Sequence, residues 1–299
     1  IGSLVDAVVH NSYKAYLTSQ MHLATMSAAF DDLETKNKEL REVNDNLREL
    51  DTLKSNFIST VSHELRTPLT SIIGYAEMLL EGLAGELSQA QNNYIGTILE
   101  KGENLLDLIR QVLDLSRIES GTLVLNKSLL DLEDAIDKSI SDVLPQAHKR
   151  ELKIEVNLQP EIPPISLDAD KFRRVLVNLL GNAVKFSNEG GVIRINALVT
   201  ERLPVGEKQY NVFEVERNNY LSISVVDEGI GIPREQVERI FDTFFQVDNS
   251  STREFGGTGL GLSIVRNFVN AHHGEVEVVS EVNKGTTFRV HYPYVSEAS

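Results

Sequence analysis

The chain of 299 residues contains no cysteine. Disulfides, thiolate catalysis and cysteine-ligated zinc are therefore excluded, because each requires that sulfur. Basic residues are also scarce, since 29 Lys and Arg stand against 44 Asp and Glu and leave a net charge of −15. This balance argues against nucleic acid or an anionic membrane surface as a partner, because Lys and Arg neutralise phosphates. A nucleotide remains compatible with it, since a nucleotide needs only a local pocket.

Long apolar runs are missing as well, and none approaches the ~18 residues that a membrane-spanning helix needs. There is no secretory signal pattern. We therefore expect this portion of the protein to be cytoplasmic and to make no membrane contact. The chain begins at Ile1 rather than Met, so we expect a piece of a longer protein, with any sensor or membrane anchor upstream.

Residues 23–57 contain no glycine or proline, and their apolar residues recur with a heptad spacing. The spacing is carried by two series, Leu33, Leu40 and Leu47, and Val43, Leu50 and Phe57. We predict a helix over 1–22, from the end of an upstream sensor domain or a linker, and a signalling coiled coil over 23–52. A lone exposed helix is the alternative, but its apolar seam would face water.

Residues 53–120 are predicted to form two helices, the first ending near Leu80 and the second opening at a capping box of Ser88 and Gln91. Two helices cannot bury both of their apolar stripes, which favours a parallel homodimer with a four-helix bundle. The predicted core residues of that bundle are Phe57, Leu65, Tyr94, Leu105 and Val112.

From Gly121 the pattern becomes mixed. Alternating apolar residues predict strands, and longer periodic stretches predict helices. The predicted strands are 152–156, 192–195, 221–226 and 288–292, and the predicted helices are 131–149, 170–186, 234–241 and 258–272. Several strands are neighbours in sequence, so we expect an α+β sandwich over 121–299, with helices on one face of a mixed sheet. Residues 200–220 are predicted to be a polar hairpin excursion.

The first motif that could carry chemistry is Ser62-His63-Glu64-Leu65-Arg66-Thr67-Pro68-Leu69. Helical geometry places His63 opposite the apolar stripe, with Thr67 on the same face and Glu64 within reach of the imidazole. Pro68 should kink the helix. An exposed imidazole beside a carboxylate can accept a phosphoryl group, although such a pair is usually an ordinary surface feature.

The second motif is a predicted helix whose polar face carries Arg174, Asn178, Asn182 and Lys185. Stacked amides offer hard oxygens for Mg²⁺, and Lys185 offers charge for phosphate. A solvated helix face is the alternative, but asparagine is a poor helix former, so two of them one turn apart require a reason.

Two glycine motifs follow. Asp227-Glu228-Gly229-Ile230-Gly231 comes directly after a strand, where Asp227 could accept a hydrogen bond from an exocyclic amino group such as that of adenine. Gly256-Gly257-Thr258-Gly259-Leu260-Gly261 precedes a helix, whose N–H groups attract phosphate. Read alone, the first could be a common Asp-Gly turn and the second a flexible hinge.

In this order, the motifs resemble those of the histidine kinases of two-component systems. His63 to Pro68 looks like the H box, Asn178 to Ser187 the N box, Asp227 to Gly231 the G1 box, Phe241-Asp242-Thr243-Phe244 the F box and Gly257 to Gly261 the G2 box. The resemblance extends from about residue 53 to 294.

The resemblance implies a dimeric histidine phosphotransfer domain over 53–120 and a Bergerat-type ATP-binding domain over 121–299. It implies that His63 is the phosphoacceptor, that Asn182 and Asn178 hold Mg²⁺ and that Asp227 binds adenine. Residues 234–257 would form a mobile lid over ATP. The other implied nucleotide-binding residues are Lys185, Gly229, Gly231, Phe241, Phe244, Gly257, Thr258, Gly259, Leu260 and Gly261.

One departure from the family pattern follows the F box, where many relatives have an aromatic residue and then an arginine that reaches the phosphates. This chain has Phe245 and Gln246, so Arg253 or Lys185 is expected to supply that charge.

The expected function is a sensor kinase that phosphorylates its own His63 from ATP, with Glu64 taking or orienting the ring proton. The phosphoryl group would pass to an aspartate in the receiver domain of a separate response regulator. A phosphatase of that partner, using Thr67 to orient water, is one alternative. A nucleotide-gated dimerisation module without catalysis is another.

Overall fold

A computed structural model describes residues 2–200, 219–247 and 258–294. The chain divides into two compact units, Ile1–Val61 and Ser62–Ser299. Helix α1 extends from Gly2 to Leu80, so the separate helices predicted over 1–22 and 23–57 are one continuous helix. Pro68 lies inside α1, which continues past it for three further turns. No described helix is both long and apolar enough to cross a membrane.

The first unit leaves its apolar seam exposed in the single chain. The exposed seam residues are Leu33, Leu40, Val43, Leu47, Leu50 and Phe57. Isolated proteins rarely expose an apolar stripe of this length, because water contact with it is unfavourable. The first unit therefore has the surface of a helix that lacks its partner.

The second unit opens with a helical hairpin, in which α1 is followed by α2, Gln89–Glu119. The predicted capping box is confirmed, since the backbone N–H of Ser88 donates to Gln91 Oε1 at 2.8 Å and that of Gln91 to Ser88 Oγ at 3.4 Å. The two helices approach closely at Gly102, where a Cβ atom would lie 3.0 Å from a side-chain carbon of Ile73. A larger residue at this position would therefore require the side chain of Ile73 to shift by a few tenths of an ångström.

A mixed sheet with helices follows, and we call residues 121–294 the sheet domain. Its elements are β1 Ser128–Leu130, α3 Leu132–Lys149, β2 Lys153–Leu158, β3 Ile165–Leu167, α4 Ala169–Phe186, β4 Val192–Thr200, β5 Asn219–Asp227, α5 Gly261–Ala271, β6 Glu275–Glu281 and β7 Gly285–Tyr294. The strand order is β2-β4-β5-β7-β6, with β2 and β4 parallel and the other pairs antiparallel. Strands β1 and β3 form a separate antiparallel pair.

The core of the sheet domain lies between one face of this sheet and helices α3, α4 and α5. Along β4, Ile193 and Ile195 point into the core and are fully buried, whereas Asn196 bonds to Asn157 and Ser224 on the other face. The period-two alternation of apolar residues thus settles which face the helices cover. The predicted α+β architecture is confirmed.

The structure corrects several predicted elements. Residues 234–241 form two short 3₁₀ turns, Arg234–Gln236 and Arg239–Phe241, rather than one α-helix. Helix α5 begins at Gly261 instead of residue 258, because the glycine loop occupies the preceding residues. Strands β1, β3 and β6 were not predicted, and two of them are only three residues long. The predicted excursion over 200–220 lies almost wholly outside the described residues.

The end of α2 packs against the sheet domain. Its apolar side chains Leu108, Val112, Leu115 and Ile118 contact the core of that domain. Asp114, which is buried, forms ion pairs with Arg174 and Lys171 at the start of α4. Val112, which was predicted to lie in the dimer core, is partly buried against the sheet domain of its own chain.

Candidate active site

The histidine motif lies on α1, and three of its polar side chains are exposed to water. His63, Glu64 and Thr67 are all exposed, as the helical spacing predicted for His63. The hydroxyl of Thr67 donates to the carbonyl oxygen of His63 at 3.4 Å, one turn earlier. The imidazole is thus accessible, with a carboxylate beside it in sequence and a hydroxyl on the next turn.

A cavity of about 240 Å³ opens in the sheet domain between α4, the end of β5 and the start of α5. Eight of the predicted site residues line it: Asn178, Asn182, Lys185, Asp227, Gly231, Thr258, Gly259 and Gly261. Ile230, Ile232, Ile240, Leu262 and Phe288 add apolar walls. Apolar walls with a few convergent polar groups are typical of a small-molecule site.

Asp227 ends β5 and is buried at one side of the cavity. Burial raises the pKa of its carboxyl to about 6, although the backbone N–H of Gly229 donates to Oδ1 at 2.9 Å. Gly229 is required for a reason other than ligand access, because a Cβ atom there would collide with the carbonyl oxygen of Phe186. The glycine thus joins the Asp227 loop to the end of α4.

The polar face of α4 lines the opposite side. The side-chain amide of Asn178 donates to the carbonyl oxygen of Arg174 at 2.8 Å, which leaves Asn178 Oδ1 as an acceptor. A Cβ atom at Gly261 would lie 2.7 Å from this Oδ1. Asn182 lies one turn further along the cavity wall.

These amides suit Mg²⁺, which takes few protein ligands and keeps several waters. The described residues contain no group of three or more His, Asp or Glu side chains that could hold a metal. The side-chain amides of Asn178 and Asn182 are the oxygen donors that α4 presents to the cavity.

Lys185 supplies positive charge near these amides. It is half-buried, and burial lowers the pKa of its ammonium group. Its Nζ lies 4.7 Å from the ring centroid of Phe186. The last turn of α4, which carries Lys185, is held by Arg150, whose guanidinium donates to the carbonyl oxygens of Val184, Lys185 and Ser187.

The glycine loop leads into α5, whose N-terminus faces the cavity. Thr258 Oγ1 accepts the backbone N–H of Leu260 at 3.2 Å and donates to Gln111 Oε1 of α2 at 3.0 Å. The N-terminus of a helix carries a partial positive charge and free N–H groups, which favour phosphate. Gly257, Arg253 and the lid residues from 248 onward lie outside the described residues.

Four predicted nucleotide-binding residues do not line the cavity. Phe241 packs edge-on against Phe288, and Leu260 is fully buried behind the wall. Gly229 holds Asp227, as described above. Phe244 is 66% exposed and has a positive φ of 65°, and Phe245 lines the cavity in its place.

Sequence reasoning missed Gln111, which lines the cavity, and Arg150, which holds the end of α4. Arg150 follows α3, and Gln111 belongs to α2 of the helical hairpin, so neither lies near a recognised motif. Only the tertiary packing brings them to α4 and to Thr258. No signal in the local sequence could have identified either one.

Two family models match the chain. The model described as "His Kinase A (phospho-acceptor) domain" matches residues 53–121. The model described as "Histidine kinase-, DNA gyrase B-, and HSP90-like ATPase" matches residues 167–296, which include the whole cavity wall from α4 to α5. The chain belongs to the sensor histidine kinases of two-component systems.

Curated members of this family agree with the assignment. The sensor protein GacS of Pseudomonas syringae pv. syringae is 36% identical over 258 residues, which are 86% of this chain and 27% of GacS. The circadian input-output histidine kinase CikA of Synechococcus elongatus is 35% identical over 242 residues, 80% of this chain and 30% of CikA. The chain thus spans less than a third of either relative.

A solved structure is also similar over most of the chain. Full-length ShkA in complex with AMPPNP matches with a TM-score of 0.62 and 30% identity. The match covers 82% of this chain and 47% of ShkA. The helical region followed by a mixed α/β domain is thus similar to the structure of ShkA.

Proposed function

We propose that this chain transfers the γ-phosphoryl group of ATP to its own His63 and then to an aspartate in the receiver domain of a response regulator. One observation carries the proposal. Asn182, Asp227 and Thr258, which are far apart in sequence, converge on one cavity in a chain that also exposes His63 on a helix. The AMPPNP in the ShkA structure supports a nucleotide as the occupant of this cavity.

Asp227 would bind the adenine end of ATP. A carboxylate buried at the apolar side of the cavity can accept a hydrogen bond from the exocyclic amino group, and apolar walls suit a flat ring. The ionised form is the stronger acceptor, so the raised pKa of Asp227 makes the strength of this contact dependent on pH.

The phosphates would lie between α4 and the N-terminus of α5. Lys185 provides charge, and the N–H groups of the glycine loop and the hydroxyl of Thr258 provide donors. Asn182 and Asn178 would hold Mg²⁺, which supplies positive charge against the phosphates during transfer. Arg253 remains our candidate for a further positive charge near the γ-phosphate.

His63 would attack the γ-phosphorus with the lone pair of one ring nitrogen. A nitrogen–phosphorus bond forms, the bond to the bridging oxygen breaks, and ADP leaves. Glu64 orients or accepts the proton of the other ring nitrogen. Transfers of this kind depend mainly on positioning and on stabilisation of charge, so the two domains must meet in the correct geometry.

We also propose that the chain acts as a homodimer. Phe57 is 69% exposed and Tyr94 71% exposed in the single chain, and Leu65 and Leu105 are exposed as well. A second copy would cover these side chains in a four-helix bundle. The proposed divisions are a sensor end or linker over 1–22, a coiled coil over 23–52, a phosphotransfer domain over 53–120 and a catalytic domain over 121–299.

Labelling with γ-³²P ATP tests the kinase proposal. We expect an acid-labile, base-stable label on the wild-type chain and none on His63→Gln, with ATP affinity by calorimetry nearly unchanged in the variant. Glu86→Gln, at an exposed residue of the interhelical turn, is the matched control and should label normally. Wild-type labelling of His63→Gln would contradict the assignment.

A phosphatase activity toward the partner is a second candidate. It is favoured by the Thr67 hydroxyl, which lies on the exposed face one turn after His63 and could orient a water. Thr67→Ala should keep autophosphorylation and lose release of phosphate from a phosphorylated receiver domain. Loss of labelling with retained phosphate release would refute this role.

A further inference from the structure

Gln111 is an unexpected part of the cavity wall, because it belongs to α2 of the helical hairpin and not to the sheet domain. Its side chain is buried, and its Oε1 accepts the hydroxyl proton of Thr258 at 3.0 Å. Its Nε2 donates to Asp107 Oδ2 at 2.5 Å. These two hydrogen bonds fix the orientation of the side-chain amide, with Oε1 toward Thr258 and Nε2 toward Asp107.

Thr258 has a single hydroxyl proton to give. Its oxygen already accepts the N–H of Leu260, and its proton is donated to Gln111. Phosphate oxygens of ATP are acceptors, so a phosphate can bond to the hydroxyl of Thr258 only by taking this same proton. Because the hydroxyl has only one proton, its bond to Gln111 and a bond to a phosphate are mutually exclusive.

We propose that Gln111 is a positioning residue of the nucleotide site. It accepts the hydroxyl proton of Thr258 and so holds Thr258 against the hairpin until a phosphate replaces Gln111 as the acceptor. This inference rests on the proposed function, because it assumes that the cavity takes ATP. Gln111 would then lower the affinity for phosphorylated nucleotides but not for adenosine. The arrival of ATP would break one of the bonds between the hairpin and the sheet domain.

The bond between Gln111 and Thr258 is one of several polar contacts that join α2 to the sheet domain. Asp114, one turn further along α2, is paired with Arg174 and Lys171 of α4. Loss of the Thr258 bond removes one of a small group of polar contacts that hold α2 against the sheet domain.

The position of the contact along the hairpin is also informative. Gly102 of α2 packs against Leu69 and Ile73 of α1. Gln111 lies about 13 Å further along α2 at 1.5 Å per residue, and the same distance back along the antiparallel α1 leads to the turn of His63. The exchange would thus occur at the level of the phosphoacceptor.

Binding of three ligands to the full chain tests the proposal. Gln111→Met keeps the length of the side chain and removes its strong acceptor. We expect its affinity for Mg-ATP and for ADP to rise by about two- to tenfold, the equivalent of one net hydrogen bond, with adenosine affinity unchanged. Asn104→Leu, an amide-to-apolar change at an exposed residue of α2, is the matched control and should change none of the three.

A double-mutant cycle with Thr258→Val removes the proton itself. Gln111→Met should then have no further effect on ATP binding. Unchanged ATP affinity in Gln111→Met, or an equal gain for adenosine, would overturn the inference. A wild-type chain that binds adenosine and ATP equally would instead contradict the proposed function, so the two failures are distinguishable.

Discussion

The first unit and the sheet domain solve the burial of apolar residues in opposite ways. In the sheet domain, Phe172 is fully buried and its ring packs against that of Tyr292. In α1, Leu40 and Leu47 remain exposed although they follow a regular heptad pattern. Sequence periodicity is equally clear in both regions, but only the sheet domain contains the elements that cover its own apolar faces. If the proposed homodimer covers this seam, the stability of the first unit should depend on protein concentration, whereas that of the sheet domain should not.

The strongest test is to break the seam. We expect Leu40→Asp combined with Leu47→Asp to convert a dimer into a monomer at micromolar concentration, because a charge in a seam cannot be buried without a partner. Light scattering measures the mass, and circular dichroism the helical content. Asn46→Asp adds charge beside the seam and should leave the dimer intact. A double variant that stays dimeric would show that the hairpin alone holds the two copies.

The opposite test removes packing from the sheet domain. Phe172→Ala should lower its free energy of unfolding by about 3–5 kcal/mol, because a large cavity is left in a close-packed core. The unfolding temperature of this domain should fall equally at low and high protein concentration, as followed by calorimetry. A dependence on concentration would contradict the claim that this domain is self-sufficient.

A smaller effect is expected at Arg150. Arg150→Met should destabilise the sheet domain by about 1–3 kcal/mol, since the carbonyl oxygens at the end of α4 lose a charged donor. Arg150→Lys should restore part of this loss, because one ammonium group cannot reach all of the oxygens that the guanidinium spans. Denaturant unfolding measures both. An equal loss in both variants would point to the shape of the side chain rather than to its donors.

The smallest effect is the pH dependence of nucleotide binding. The ionised carboxylate of Asp227 accepts the adenine amino group more strongly than the protonated carboxyl, so ATP affinity should fall below about pH 6, by at most tenfold per pH unit. The sign is opposite for the nucleotide-free domain, whose stability should fall as pH rises from about 4 to 6, because the buried carboxyl holds its proton more tightly than in the unfolded chain. Asp227→Asn should remove the pH dependence of binding in calorimetric titrations.

The sequence predicted those features that depend on local pattern. The end of α1 at Leu80, the capping box at Ser88 and the order of the motifs all follow from spacing within a few residues. Eight site residues were found because each lies in a short motif at the end of a strand or along a helix.

Features that depend on packing between distant elements were not predictable. Gly229 was expected to admit a ligand, but it is required by the carbonyl oxygen of Phe186, 43 positions earlier. Val112 belongs to an apolar stripe that could face either a second copy or the sheet domain, and periodicity alone cannot distinguish them. Strands β1 and β3 are too short to show an alternation.

Hydrogen bonds hold both ends of α4, the helix that forms one side of the nucleotide site. At its start, the backbone N–H of Asp168 donates to His272 Nε2 at 3.1 Å, so His272 uses its other nitrogen to donate to the carbonyl oxygen of Phe268 at 2.8 Å. At its end, α4 is held by Arg150. The helix with Asn178 and Asn182 is therefore held at both ends by hydrogen bonds to other elements of the sheet domain. Any movement on nucleotide binding should therefore occur on the opposite side of the site, where Thr258 would exchange Gln111 for a phosphate as its hydrogen-bond acceptor.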